Sequence, residues 1–372
     1  MDGVKPWNEI APEEKRVLIS YLNAHWANPE EYVIRKFADH DIVFIGEFHR
    51  IKHDAQLIQQ LIPRLYQAGV YDLGIEFGSY DCQDQIDRLI TAPEYDEQLA
   101  RQLTFKWSTF WGLVEYLDIY RKAWELNKSL PEGKPRFRVV CLDYTPERGV
   151  IQGRMTPELW NKFWCKGDRD EFMAGVILKE FVAKGRKALI YSGINHAFTR
   201  YHQPFYDFER KHLEGFNTTR MGNIVQQKIP DRVWTVFLHS PWDTREGTGE
   251  HNYPVGGVID RVLSEFQDPR VGFDVKGSPF GRLTDPTTAY SFGYDSFTLE
   301  TFCDGYIFQK HFEDYEGCTV DEKFVTDENF DEAVKGIFDD DTRESYKNKK
   351  AADFVAMDKR AADMKWRFRD LE

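Results

Sequence analysis

The stretch Asp41-Ile-Val-Phe-Ile-Gly-Glu-Phe-His49 decides the fold. Its apolar run, 42–45, has strand length and is rich in β-branched and aromatic residues. Near-continuous hydrophobicity is what a parallel strand covered on both faces requires. Gly46 breaks the run, and an acid and an imidazole, Glu47 and His49, follow at once. A helical pattern runs from about Asp54 to Gly69, with Leu57, Ile58, Leu61, Ile62 and Leu65 on one stripe. Pro63 within it marks a kink or a break. Glu47 and His49 therefore sit where a strand hands over to a helix, the edge at which open α/β sheets bind ligands.

Four more strands are expected at 73–77, 137–142, 188–191 and 231–238, and a last one, 305–309, closes the sheet. Helical patterns separate them, so the chain reads as α/β, a mainly parallel sheet flanked by helices. The strand ends deliver Glu47 with His49, Glu76, Asp143, His196 and His239. Each has a bland reading alone. A strand-end histidine is commonly a satisfied polar group at the edge of the core. Glu76 reads equally as a buried ion-pair partner of Arg50 or Arg220, and Asp143 as a turn cap. The shared location of all six carries the inference.

Around this core, 41–310, the sequence places three additions. Residues 1–40 form one or two helices packed on the core, opening at Pro12-Glu13-Glu14. The helical insertion 81–128 is dense in Trp107, Phe110, Trp111, Tyr116, Tyr120 and Trp124; it reads as a helical hairpin with an aromatic core or as a lid over the strand ends. Residues 320–372 are a charged C-terminal helical arm, seated on the domain or on a second subunit of a homodimer. In the loop-rich stretch 242–257, His251 reads first as a solvated loop histidine and second as a site residue.

The net charge of −13 argues against nucleic acid as a partner, because phosphates need a basic face. The five cysteines are scattered with no Cys-x-x-Cys, which fits reduced thiols in a cytoplasmic protein. Met1 to Glu14 carry charges and no apolar leader core. No apolar run approaches the roughly 20 residues of a membrane span, so no membrane is expected as a partner. There is no Gly-x-Ser-x-Gly elbow, Walker loop or dinucleotide fingerprint.

Gly46-Glu-Phe-His49 and Gly193-Ile-Asn-His196 share the form Gly-x-x-His, and Gly74-Ile-Glu-Phe77 lies between them. This ordered set resembles the superfamily that joins the Tiki proteases, the erythromycin esterases and the ChaN haem-binding proteins. Arg220-Met-Gly222, Val271-Gly-Phe-Asp274, Gly277-Ser-Pro-Phe280 and Asp304-Gly-Tyr-Ile-Phe308 extend the resemblance, which runs from about Asp41 to Phe308. In Tiki-like members the matched histidines and glutamate bind a divalent metal for peptide hydrolysis. In the esterases the matched His and Glu activate water. The ChaN-like members bind haem. The chain departs from the esterases at Arg50, where they usually carry Gly, and from the ChaN-like lipoproteins in having no export signal.

The resemblance implies a hydrolase of an ester or amide bond, peptides included, acting on a small-molecule or peptide substrate. Glu47, His49, Glu76 and His196 are the candidate catalytic residues. His49, Glu76 and His196 are also the candidate ligands of Zn²⁺, Mn²⁺ or Co²⁺, a donor set that would lower the pKa of a bound water. Without a metal, His49 oriented by Glu47 or Glu76 is a general base. Arg50, Asp143, Arg220 and His239 are the candidates for contacting substrate or an oxyanion. The alternative is a non-catalytic protein that binds haem or another small ligand.

Overall fold

The computed structural model describes residues 10–151 and 154–371. The first nine residues of the stretch expected to be helical and leaderless lie outside the described residues. Eleven strands are described: β1 (Ile42–Glu47), β2 (Asp72–Ser79), β3 (Arg138–Asp143), β4 (Ala188–Gly193), β5 (Gln203–Asp207), β6 (His212–Asn217), β7 (Val233–Leu238), β8 (Trp242–Asp243), β9 (His251–Asn252), β10 (Val271–Asp274) and β11 (Gly305–Phe308). The fold is α/β, a mainly parallel sheet with helices around it. The chain divides into two compact units. The first holds Met1–His49, Leu189–Tyr315 and Met364–Glu372, and the second holds Arg50–Ala188 and Glu316–Asp363.

In the first unit the strand order is β10-β11-β7-β1-β4. β1 pairs with β7 in parallel, from Ile42 opposite Val233 to Gly46 opposite Phe237. β11 is also parallel to β7, and β10 closes that side antiparallel to β11. Ile42, Val43, Phe44 and Ile45 are fully buried, which is why the run carries no polar alternation. Two N-terminal helices, Pro12–His25 and Pro29–Lys36, belong to this unit. Asn28 caps the second by accepting from the Glu31 amide. From this helix the Tyr32 hydroxyl donates to Asp274 at 2.8 Å, tying it to β10. β5 and β6 form an antiparallel hairpin.

In the second unit β2 and β3 pair in parallel, with an irregularity between Ile75 and Ser79. The helix Lys52–Gln67 continues through Pro63 without the expected break. Leu57, Ile58, Leu61, Ile62 and Leu65 on its inner stripe are fully buried. Their packing outweighs the roughly 3 kcal/mol that an interior proline costs. The insertion folds as the helices Gln83–Leu89, Glu97–Trp107 and Val114–Ser129. Residues 324–354 build a separate core from Phe324, Val325, Phe330, Ile337, Tyr346 and Phe354, against which Phe105 and Phe110 of the insertion pack. Among the described residues, no helix is long and apolar enough to cross a membrane.

Candidate functional site

Glu47 ends β1 and is 1% exposed. A carboxylate buried so deeply must be paired. Its Oε1 lies 2.8 Å from His49 Nδ1, and its Oε2 accepts the hydroxyl of Tyr191 on β4. The His49 side chain is 36% exposed, so the pair leads from a buried acid to an imidazole near the surface. Arg367 donates to the His49 carbonyl, and its guanidinium lies 4.4 Å from the centre of the Phe48 ring. The loop carrying the imidazole is thereby fixed. A Cβ on Gly46 would stand 2.7 Å from the Phe237 ring and 3.1 Å from Ile194 Cα. Glycine is what lets β1 pass between its neighbours just before the acid.

The Ile194 amide donates to the Glu47 carbonyl at 2.8 Å. The ends of β1 and β4 therefore share one edge, and both Gly-x-x-His motifs leave the sheet from it. The loop after β4 is held by the helix Met221–Lys228. Its Gly222 amide donates to the His196 carbonyl at 2.9 Å. Asn223 Nδ2 donates to the Thr199 and Tyr201 carbonyls at 2.7 and 2.9 Å. A Cβ at position 222 would sit 2.4 Å from the Phe198 carbonyl oxygen. The Arg-Met-Gly triplet thus seats a helix directly on the backbone that presents His196.

Arg220, His239 and His251 have partners of their own. Arg220 gives its Nε and Nη2 to Gln203 Oε1 at 3.0 and 2.6 Å. His239 is buried, with Nδ1 2.9 Å from the Tyr306 hydroxyl and Nε2 3.1 Å from Asp260 Oδ1. Its ring stacks on Phe312 at 4.4 Å. Both nitrogens are engaged within the fold, which does not fit an oxyanion donor. His251 is not a solvated loop residue. Its Nδ1 lies 3.1 Å from Asp370 Oδ2 and its ring meets Phe368 edge-on.

In the second unit Glu76 and Asp143 share Arg169. Its Nη2 lies 3.1 Å from Glu76 Oε1 and 2.6 Å from Asp143 Oδ2, and its Nε lies 2.8 Å from the same Asp143 oxygen. Burial would lower the Arg169 pKa, but the two carboxylates outweigh it and hold the guanidinium charged above its ordinary value. Asp143 Oδ2 also accepts Trp107 Nε1 at 2.9 Å, and Oδ1 accepts the Tyr144 amide. A carboxylate so saturated does not fit a substrate contact. Trp107 and Trp111 pack on Phe77, next to Glu76, with ring centres 6.2 and 5.2 Å away. The insertion's aromatics thus meet the ends of β2 and β3. Arg169 went unnoticed in the sequence; its only signal was its place just after the helix cap Asp168, which accepts from the Glu171 amide at 3.0 Å.

Arg50 is also in this unit. Its Nη1 lies 2.9 Å from Asp358 Oδ1, its Nη2 donates to the Phe110 carbonyl, and its amide donates to the Tyr116 hydroxyl. It is a tie between helices. No group of three or more His, Cys, Asp or Glu among the described residues is arranged to hold a metal ion. The Zn²⁺, Mn²⁺ or Co²⁺ expected at His49, Glu76 and His196 therefore finds no support among them.

Residues 33–131 match the family described as haem-binding uptake, Tiki superfamily, ChaN. No curated protein matches the chain. Among solved structures, a succinoglycan biosynthesis protein aligns with a TM-score of 0.54 at 9% identity, covering 84% of this chain and all of that one. A Bacillus cereus protein aligns with a TM-score of 0.49 at 11% identity over 82% of this chain and 99% of its own. ChaN of Campylobacter jejuni, solved with cofacially bound haem, aligns with a TM-score of 0.36 at 13% identity over 56% of this chain and 86% of its own. The superfamily expected from the paired Gly-x-x-His motifs is the one whose family model residues 33–131 match.

Proposed function

We propose that the chain is a hydrolase of an ester or amide bond in a small molecule or peptide, with His49 as the general base on water. The observation that carries this reading is the buried Glu47 carboxylate 2.8 Å from His49 Nδ1. A carboxylate there selects the tautomer with the proton on Nδ1, which makes Nε2 the basic nitrogen. Nε2 takes a proton from water as the oxygen adds to the substrate carbonyl carbon. The imidazolium then returns that proton to the departing alkoxide or amine. The Tyr191 hydroxyl on the other Glu47 oxygen keeps the carboxylate in place. His196, on the same edge, is the second imidazole of the proposed site.

Turnover on a panel of aryl esters and dipeptides tests the reading. His49→Gln should lose roughly 100-fold or more in kcat, the usual contribution of a positioned general base. Glu47→Gln should also lower kcat, through the wrong tautomer, with the melting temperature of each variant recorded alongside. Full activity in His49→Gln, or a wild type inactive on the whole panel, would overturn it. Haem binding is the second reading, favoured by the family match over residues 33–131. An imidazole whose Nδ1 is held by a carboxylate suits iron ligation. A Soret shift on haem titration that is lost in His49→Ala supports that reading, and an unchanged Soret band removes it.

A further inference from the structure

Strand β5 with Phe208 after it, the loop 243–250 and residues 289–292 frame a cleft of about 430 Å³ in the first unit. Five aromatic rings line it: Phe205, Tyr206, Phe208, Tyr290 and Phe292. Tyr206 and Phe292 stack on each other at 3.7 Å and so cover each other's faces. Phe205 and Phe208 are 50% and 43% exposed, large apolar rings left open at the cleft. The charged side chains that line it are Asp243 and Glu250; His251 Nε2 lies 3.9 Å from Asp243 Oδ1, and Thr248 donates to Glu250 Oε2 at 3.0 Å. Thr244 Oγ1 is buried at the cleft without a hydrogen-bond partner among the described residues. The Arg245 guanidinium already lies 4.5 Å from the Phe292 ring, so this aromatic wall takes a cation from its own chain.

Exposed rings beside two lining carboxylates select a positively charged, weakly hydrated ligand. A strongly hydrated inorganic cation gains little from the rings, and an anion is repelled by both acids. We propose that the cleft binds a substituted ammonium ion between Phe205 and Phe208, with Asp243 and Glu250 as counter-charges and Thr244 Oγ1 as acceptor or donor for a polar tail. The net charge of −13 draws such cations toward the molecule. The site is independent of the chemistry proposed for His49.

Calorimetric titration of the full chain with choline and with its uncharged isostere 3,3-dimethylbutan-1-ol tests this. Choline should bind at least about fivefold more tightly than the isostere, the part of the affinity due to charge over the rings. Phe205→Ala should weaken choline binding several-fold, and the pair Asp243→Asn with Glu250→Gln should abolish the preference for the charged compound. Phe205 is half exposed, so its removal should leave the melting temperature nearly unchanged. Equal binding of the two compounds, no choline binding, or choline binding indifferent to Phe205→Ala and to the acid pair would overturn the proposal.

Discussion

At Arg50 the backbone takes φ 75°, the left-handed region that costs an L residue about 1 kcal/mol. Glycine would fit that backbone without strain. What the chain gains from arginine is the bond to Asp358, a carboxylate 3% exposed. Burial pushes the Asp358 carboxyl up, and Arg50 opposes it. Removing the guanidinium leaves a buried acid unpaired, at about 3–5 kcal/mol. Arg50→Ala should therefore be strongly destabilised in urea titrations, and Arg50→Gly should recover about 1 kcal/mol of that loss. Equal stability of the two variants would show that the backbone strain is not real. The sequence offered Arg50, next to His49, as a substrate or oxyanion contact; its partner Asp358 lies 308 residues on, which no local pattern reveals.

The helix Met221–Lys228 is the element that presents His196. Gly222→Ala forces a methyl onto the Phe198 carbonyl and should cost about 1–3 kcal/mol. Asn223→Ala removes two bonds to buried backbone carbonyls, at about 2 kcal/mol. If the loop belongs to the working site, hydrolysis at a temperature where the variants stay folded should fall further than their stability loss requires. Unchanged turnover in folded Gly222→Ala would remove His196 from the site. Elements with strong local patterns were readable: β1, β2, β3, β4 and β7 are apolar runs with polar residues at their ends. β10 has only four residues with Gly272 among them, and β5 and β6 carry no fully buried face, so neither gave a period to detect. Two of the later motifs that extend the resemblance, Arg220-Met-Gly222 and the one opening at Asp304, turn out to be seats for backbone. Asp304, for example, accepts the Thr235 amide at 2.9 Å and joins β11 to β7.

At the scale of the whole chain, an excess of acids sets how the fold responds to pH. The net charge of −13 repels itself, and protonating exposed carboxylates relieves that repulsion as pH falls from 7. Against it stand carboxylates that the fold uses in charged form. Glu180 is the clearest: Tyr80 donates to it at 2.7 Å, Lys184 at 2.8 Å and Arg138 at 3.3 Å. Burial alone would raise its carboxyl, but these three partners outweigh burial and hold the pKa down to about 2. Unfolded, the same group titrates at about 4.3. A folded pKa below the unfolded one means stability that is fully present above about pH 4.3 and lost as pH falls toward 2. Glu180→Gln should melt lower than wild type at pH 7, by about 2 °C or more, because it loses the charged partner of Lys184 and Arg138. The difference should shrink below pH 4 and be small near pH 2, where about half of the wild-type carboxyl is itself protonated. Melting curves of both proteins from pH 7 to pH 2 measure this. A gap that stays constant across the range would mean that Glu180 contributes through its shape and hydrogen bonds and not through its charge.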